Sequence, residues 1–306
     1  MMDAIRIESL SKSFGNLTAV DNLSLTVAEG EIFGLVGSDG AGKTTTMRLL
    51  ASVMEPTSGD AWVADQHIVK DAEKVKERVG YMSQRFGLYH DLTVMENIDF
   101  YADIYGISRQ ERTEKTTRLL AFSNLTPFRK RLAGNLSGGM KQKLGLVCAL
   151  IHTPKVLFLD EPTNGVDPVS RRDFWRILYK LLREKVTIFV STAYLDEAER
   201  CNRVGLLHKG KLRAYGTPSE VKTLLRGKVV EVRSSNPRKA AALLRESVES
   251  VNIFGDRIHI VTPEPENLTL RMQSLFKDAG IDFYGIRPIS PGLEDVFISV
   301  LAQEGN

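Results

Sequence analysis

The stretch Gly37–Thr45, GSDGAGKTT, constrains the fold of this 306-residue chain more than any other part of it. It has the spacing G-x-x-x-x-G-K-[ST] and follows the apolar run EIFGLV directly, ahead of a helix-like pattern from Lys43 to Val53. Gly37, Gly40 and Gly42, with Ser38, Asp39 and Ala41 between them, let the backbone curl so that successive N–H groups point at one centre. The start of the following helix adds a dipole that favours an anion there. Lys43 places a positive charge for β- and γ-phosphates, and the Thr44 hydroxyl, next to Thr45, suits Mg²⁺. A chance glycine-rich turn would account for the spacing but not for a strand before it and a helix after it. The motif predicts binding of a nucleoside triphosphate and leaves open what the energy drives.

Strands are expected near 4–8, 19–27 and 31–36, with turns at Gly15-Asn16 and Glu29-Gly30. Pro56-Thr57-Ser58-Gly59 stops the helix after the glycine loop. Residues 85–150 look mostly helical: Ser108 and Glu111 have capping-box spacing, and Asp91 or Thr93 can start the preceding helix. Strand and helix alternate again at 156–159, 167–182, 186–191 and 204–208. That order predicts an α/β core with a helical insertion. Thr217-Pro218-Ser219-Glu220 reads as a capped helix start running to about Arg226. From Gly227 onward the pattern changes to strand-like KVVEVRSS, helix-like PRKAAALLRESV, strand-like RIHIVT, a helix near 265–279 and strand-like DFYGIRPI. This predicts a small C-terminal α+β domain at 227–306 behind a main domain at 1–226.

Bulk composition excludes classes more than it selects one. Forty-one basic against 38 acidic residues give a net charge of +3, too small an excess to argue for any particular partner, whether nucleic acid or membrane lipid, and no nucleic-acid partner is expected. Cys148 and Cys201 lie far apart in apolar or helical contexts and are expected as free thiols in a reducing compartment. The start MMDAIRIESLSKSF lacks the apolar core of a signal peptide, and the longest apolar runs, such as Leu144–Ile151, fall well short of the roughly 20 residues a spanning helix needs. The chain is expected not to cross a membrane by itself.

Residues 136–142 read LSGGMKQ ahead of the apolar helix LGLVCALI, and VLFLDEP follows at 156–162. With these motifs in this order, residues 4–224 resemble the ATP-binding subunits of ABC transporters. The resemblance implies a P-loop NTPase core of ABC type with a helical subdomain at about 85–150. It also implies two such subunits sandwiching two ATP molecules, each between one subunit's glycine loop and the other's LSGG segment. Ser137, Gly138, Gly139 and Met140 then meet the partner's ATP, Met140 standing where the family usually has glutamine. Free amides at such a helix start suit a γ-phosphate, although an ordinary glycine-softened cap has the same look. Asp160 ends a strand-like run and suits Mg²⁺, directly or through water, and Glu161 is the candidate to polarise the attacking water; a solvated strand end is the rival reading. By resemblance Gln84 contacts Mg²⁺ and that water, and opens the segment 85–100 that meets the membrane partner. Phe14 stands where the family stacks an aromatic on adenine, against the alternative of a core phenylalanine. Asp167 matches a loop aspartate of the dimer interface and can equally be only a helix cap.

One departure matters. After VTIFVS the family usually carries a histidine that contacts the γ-phosphate, and here the position is Ala193. ATP on this chain's own loop is therefore expected to be hydrolysed slowly. A heterodimer with a second, competent ATP-binding subunit is favoured slightly over a homodimer in which water or a neighbouring side chain compensates. The stretch from Tyr81 to Gly106, the LSGGMKQKLGL helix and SPGLEDVFISVL are similar to exporters of the multidrug and antibiotic-resistance type. The Leu293–Phe297 element then serves subunit assembly, or is simply an amphipathic helix covering the core. The expected protein is an ATPase, cytoplasmic and peripheral on the inner face of the membrane, that couples ATP-driven closure to separate membrane subunits. A regulatory subunit that never hydrolyses ATP, and an ABC-type protein outside transport, remain the alternatives.

Overall fold

The structure is a computed structural model that describes residues 2–85, 87–225, 227–246, 248, 250–262 and 268–302. Two compact units divide between Tyr215 and Gly216. The division precedes the expected 226/227 boundary because the short helix Pro218–Lys222 packs with the last helix, Leu293–Ala302, in the second unit. That helix ends at Lys222, short of the expected Arg226, which itself lies outside the described residues, as do 263–267 at the expected start of a later helix.

The first unit has two sheets. β1 (Asp3–Phe14) and β2 (Leu17–Ala28) form an antiparallel hairpin turning at Gly15, and β4 (Ser58–Val63) and β5 (Gln66–His67) extend it in the order β2-β1-β4-β5. The second sheet has the order β10-β9-β3-β8-β7-β6, with β10 (Lys211–Gly216) at one edge, and β9 (Arg203–His208), β3 (Ile32–Val36), β8 (Thr187–Thr192), β7 (Val156–Asp160) and β6 (Val79–Met82) pair in parallel. Every residue of β3, β7 and β8 is buried, which is why these strands read as near-continuous apolar runs rather than alternating ones. A core holding Phe33, Met47, Leu50, Phe158 and Phe189 fills the space between the sheets and the helix α1 (Lys43–Leu50).

The expected helical stretch contains α3 (Val94–Ile104), α4 (Arg109–Phe122) and α5 (Gly138–Leu150), packed around Ile98, Leu120, Leu144 and Cys148. The full capping box sits at Thr93, whose Oγ1 accepts from Glu96 N at 3.2 Å while Glu96 Oε2 accepts from Thr93 N at 2.7 Å. At Ser108 the hydroxyl accepts from Glu111 N but donates to the Glu111 carboxylate at 3.0 Å, so the expected box there is only half formed. A buried Asn97 then ties the preceding loop to α3 through Tyr89 and Leu92. No helix among the described residues is long and apolar enough to cross a membrane. Cys148 and Cys201 are buried free thiols, and burial pushes both well above the usual thiol range.

The second unit is an antiparallel sheet in the order β12-β13-β11-β14, from β11 (Lys228–Ser234), β12 (Ser250–Phe254), β13 (Arg257–Thr262) and β14 (Phe283–Ile289). Helices α9 (Pro237–Arg245) and α10 (Leu268–Asp278) belong with it, and α9 packs on one face through Ala240, Ala241 and Leu244. The strand β12 was not foreseen.

Candidate active site

Parallel strands end at a common edge, and the loops leaving that edge build the site. Gly37 follows β3, Asp160 ends β7, and Ser191-Thr192 end β8. In register, Asp160 lies beside Ser191 and Val36 beside Thr192. Adjacent strand ends therefore bring the glycine loop and the Asp-Glu pair together across more than a hundred residues of sequence.

The loop closes by contacts that only glycine permits. Gly42 has φ +106°, and a Cβ on it would stand 2.2 Å from the Ala19 carbonyl oxygen. Gly42 also precedes α1 without any side-chain cap, leaving amides at the helix start for another acceptor. The Lys43 ammonium, almost fully buried, donates to the carbonyls of Gly37 at 2.7 Å and Ser38 at 3.1 Å. It also stands 3.0 Å from Glu161 Oε1. Asp39, Gly40, Ala41, Gly42, Lys43, Thr44 and Thr45 line a cleft of about 520 Å³ that Phe14, Gln84 and Glu161 complete. Gly37 and Ser38 do not line it; they hold Lys43 from behind. Phe14 is 47% exposed at the cleft, which excludes the core-phenylalanine alternative.

The carboxylates are held differently. Asp160 is buried; its Oδ1 accepts from Thr44 Oγ1 at 3.1 Å and Ser191 Oγ at 2.7 Å. Its other oxygen, Oδ2, is buried with no hydrogen-bond partner among the described residues. A buried carboxylate oxygen without a donor, beside a threonine hydroxyl, is what a hard divalent cation or its water would satisfy, so these residues fit Mg²⁺. Glu161 sits in the left-handed region at φ 47°, fixed by its amide donating to Ser191 O and Ser191 Oγ at 3.2 and 3.0 Å. Its Oε2 accepts from Gln84 Nε2 at 3.0 Å and Asn164 Nδ2 at 3.1 Å.

Neither Ser191 nor Asn164 was foreseen. Asn164 stood inside a motif already singled out for Asp167, so its spacing from Glu161 was there to be read; the role of Ser191 depends on strand register, which the sequence does not display.

The other expected residues lie apart from this cleft. Ser137 caps α5, accepting from Met140 N at 3.3 Å, and Ser137 and Gly138 are exposed. Gly139 is buried against Ser170, and Met140 packs on the helical core. Asp167 caps α6 (Pro168–Arg183) by accepting from Val169 and Ser170 amides at 3.1 and 2.9 Å, and the Ser170 hydrogen bonds hold its carboxyl below the usual range. Ala193 lines a smaller cavity of about 150 Å³ with Asp39, Glu161, Asn164 and Tyr194. Behind it the buried Glu197 accepts from Thr163 and Thr192 hydroxyls at 2.5 and 2.8 Å.

Residues 20–164 match the family model described as ABC transporter. The chain is 40% identical over its whole length to the probable multidrug ABC transporter ATP-binding protein YbhF of Escherichia coli (strain K12), and covers 53% of that protein. It thus spans about half the length of this relative. It is also 35% identical to the Nod factor export ATP-binding protein I of Rhizobium sp. (strain N33), with 98% of both chains covered. A solved structure of an ATP-binding subunit of an ABC transporter is similar at 28% identity and a TM-score of 0.66, over 72% of this chain and 92% of that one.

Proposed function

Because this chain belongs to the ABC transporter family, among its ATP-binding proteins, we propose that it binds Mg-ATP over Gly37–Thr45 and hydrolyses it within a dimer of such subunits. Closure of that dimer drives export through separate membrane subunits, and the chain works at the inner face of the membrane. The observation that carries this reading is the meeting of Lys43, Thr44, Gln84 and Glu161 around one cleft, with Asp160 bound to the Thr44 hydroxyl behind it.

In this reading the loop amides and Lys43 hold the β- and γ-phosphates, and Phe14 and Leu17 offer an apolar wall to the base. Thr44, Asp160 and Gln84 are the residues that would hold Mg²⁺, which neutralises charge building on the phosphate oxygens. Glu161 takes or orients the proton of the attacking water. Ser137 and Gly138, the exposed pair of the LSGG segment, face the partner's nucleotide, while the expected Gly139 and Met140 support them from within the helical core, and Asp167 lies at the dimer interface. Segment 85–100, of which Phe86 lies outside the described residues, meets the membrane subunit.

Ala193 places a methyl group where the reaction would use a hydrogen-bonding side chain, so the chain's own site turns over slowly and a heterodimer with a competent subunit follows. A homodimer is the second reading. It is favoured by Lys43, Gln84 and Asn164, which already hold Glu161 without a histidine. Steady-state turnover of the purified chain alone tests both. Rapid hydrolysis that Glu161→Gln removes would overturn the slow-site reading, and failure to bind Mg-ATP at all would overturn the whole proposal.

A further inference from the structure

A second charged cluster stands in the C-terminal unit, apart from everything above. Along β11, Val230 and Val232 are buried in the unit's core. Val229, Glu231 and Arg233 therefore lie on the opposite face of the sheet. Register places His259 and Arg287 beside Glu231, and Arg257 and Gly285 beside Arg233. Helix α11 (Leu293–Ala302) reaches one end of this face, where Asp295 Oδ1 pairs with His259 Nδ1 at 2.9 Å.

At the other end three guanidiniums close on one carboxylate. Arg233 Nε and Arg287 Nε meet Glu231 Oε1 at 3.0 and 2.9 Å, and Arg257 Nη1 meets Oε2 at 3.1 Å. Glu231 is buried beneath them, while the arginine side chains are 44%, 60% and 45% exposed respectively. Arg233 and Arg257 oppose each other directly across the strands, an arrangement that by itself destabilises a sheet. One carboxylate against three guanidiniums leaves two positive charges; the exposed Asp256, 3.7 Å from Arg257 Nε, screens them weakly.

The geometry of what is left over is specific. Arg233 and Arg287 both spend Nε on Glu231, so their terminal Nη pairs have no partner among the described residues. The two flank Gly285, where a Cβ would meet nothing within 4 Å. The result is an open notch with a backbone floor and two guanidinium forks at its sides, oriented by a buried carboxylate.

We infer that this notch binds a phosphate dianion through the Nη groups of Arg233 and Arg287, with Arg257 adding charge. A lone carboxylate would satisfy one fork; the three outer oxygens of a terminal phosphate satisfy two and match the surplus charge. Glu231 is a positioning residue, ionised throughout the physiological range because the Arg287 hydrogen bond, with help from Arg233 and Arg257, holds its pKa at about 2. The phosphate can be a soluble ion or the headgroup of phosphatidic acid, which presents the same dianion.

The test uses the full chain carrying Lys43→Ala, so that the loop in the first unit does not bind the probe and ATP turnover plays no part. One arm titrates inorganic phosphate against sodium chloride of equal ionic strength and follows ³¹P line broadening. The other floats the protein with phosphatidylcholine vesicles with and without phosphatidic acid. Binding in either arm is expected, and the arm that responds identifies the source. Arg233→Lys with Arg287→Lys keeps both charges beside Glu231 but loses the forks, and is expected to weaken binding by roughly tenfold or more. No phosphate-specific response in either arm, or an undiminished one in the lysine variant with a native hydrogen-exchange pattern, overturns the inference.

Discussion

Glu161 in the first unit and Glu231 in the second are both buried against cations, and the two are held on opposite principles. Glu161 has a single ammonium, Lys43, and two neutral amide donors, Gln84 and Asn164, on a backbone forced to φ 47°. Glu231 lies in a regular strand under three guanidiniums. A left-handed non-glycine residue costs about 1–3 kcal/mol and persists where the surroundings over-determine it. At Glu161 that surrounding is Ser191, which takes the amide. The strained carboxylate with few, exchangeable donors can turn to a water; the ringed one cannot. Burial of a carboxylate therefore says little until its donors are counted by kind.

The largest expected effect breaks the comparison on the Glu161 side. Glu161→Gln keeps the shape and the contacts to Gln84 and Asn164 but removes the proton acceptor, so ATP turnover should fall by roughly 10²–10⁴-fold with nucleotide affinity retained. A loss of less than about threefold would mean that Glu161 is as inert as Glu231, or that chemistry does not limit this site. Next in size, Ala193→His should raise turnover of the isolated chain by up to roughly 10²–10³, the usual worth of one preorganised transition-state contact. The adjoining cavity of about 150 Å³ gives the ring room. An unchanged rate would favour the homodimer in which Lys43, Gln84 and Asn164 suffice.

How much of this was legible beforehand follows the same division. Gly37–Thr45 and Asp160-Glu161 could be read directly, because binding a triphosphate demands contiguous residues at fixed spacing. The parallel strands β3, β7, β8 and β9 were legible as short apolar runs between turns, whereas β6, only four residues long, was not. What escaped depended on register: Ser191 reaches Asp160 and the Glu161 amide only because β7 and β8 pair as they do. The arginine cluster on Glu231 draws Arg233, Arg257 and Arg287 from three strands and leaves no local pattern at all. β4 begins at Ser58, inside the Pro56–Gly59 stretch taken as a stop, and β12 is five residues with only Val251 fully buried. At α3, both Asp91 and Thr93 were plausible starts, and the structure selects Thr93 because Glu96 reciprocates its hydrogen bond.

A smaller effect, in acid, sharpens the Glu231 side. Its pKa is lowered from the ordinary 4.5 to about 2 on folding, so the stability it contributes is present above 4.5 and is lost as pH falls from there toward about 2. Protection of the β11 and β14 amides, relative to the intrinsic exchange rate at each pH, should fall over that window, and Glu231→Gln should remove this pH dependence while leaving protection low throughout. Tryptophan fluorescence will not report it, since Trp62 and Trp175 both lie in the first unit.

The smallest effect asks whether three arginines are redundant for stability. Arg257 is half-exposed and alone on Glu231 Oε2, while Arg233 and Arg287 share Oε1. Deleting an ion pair of that exposure removes about 0.2–1 kcal/mol, and Arg257→Gln also relieves the repulsion with Arg233 directly across the strand pair. The two contributions oppose each other, so exchange protection along β11 and β13 should change by less than about 1 kcal/mol. A loss above about 3 kcal/mol would be the cost of a buried charge left unpaired, and would mean that Glu231 depends on one cation as Glu161 does on Lys43. The contrast between the two glutamates would then lie in their backbones alone, not in the number of their cations.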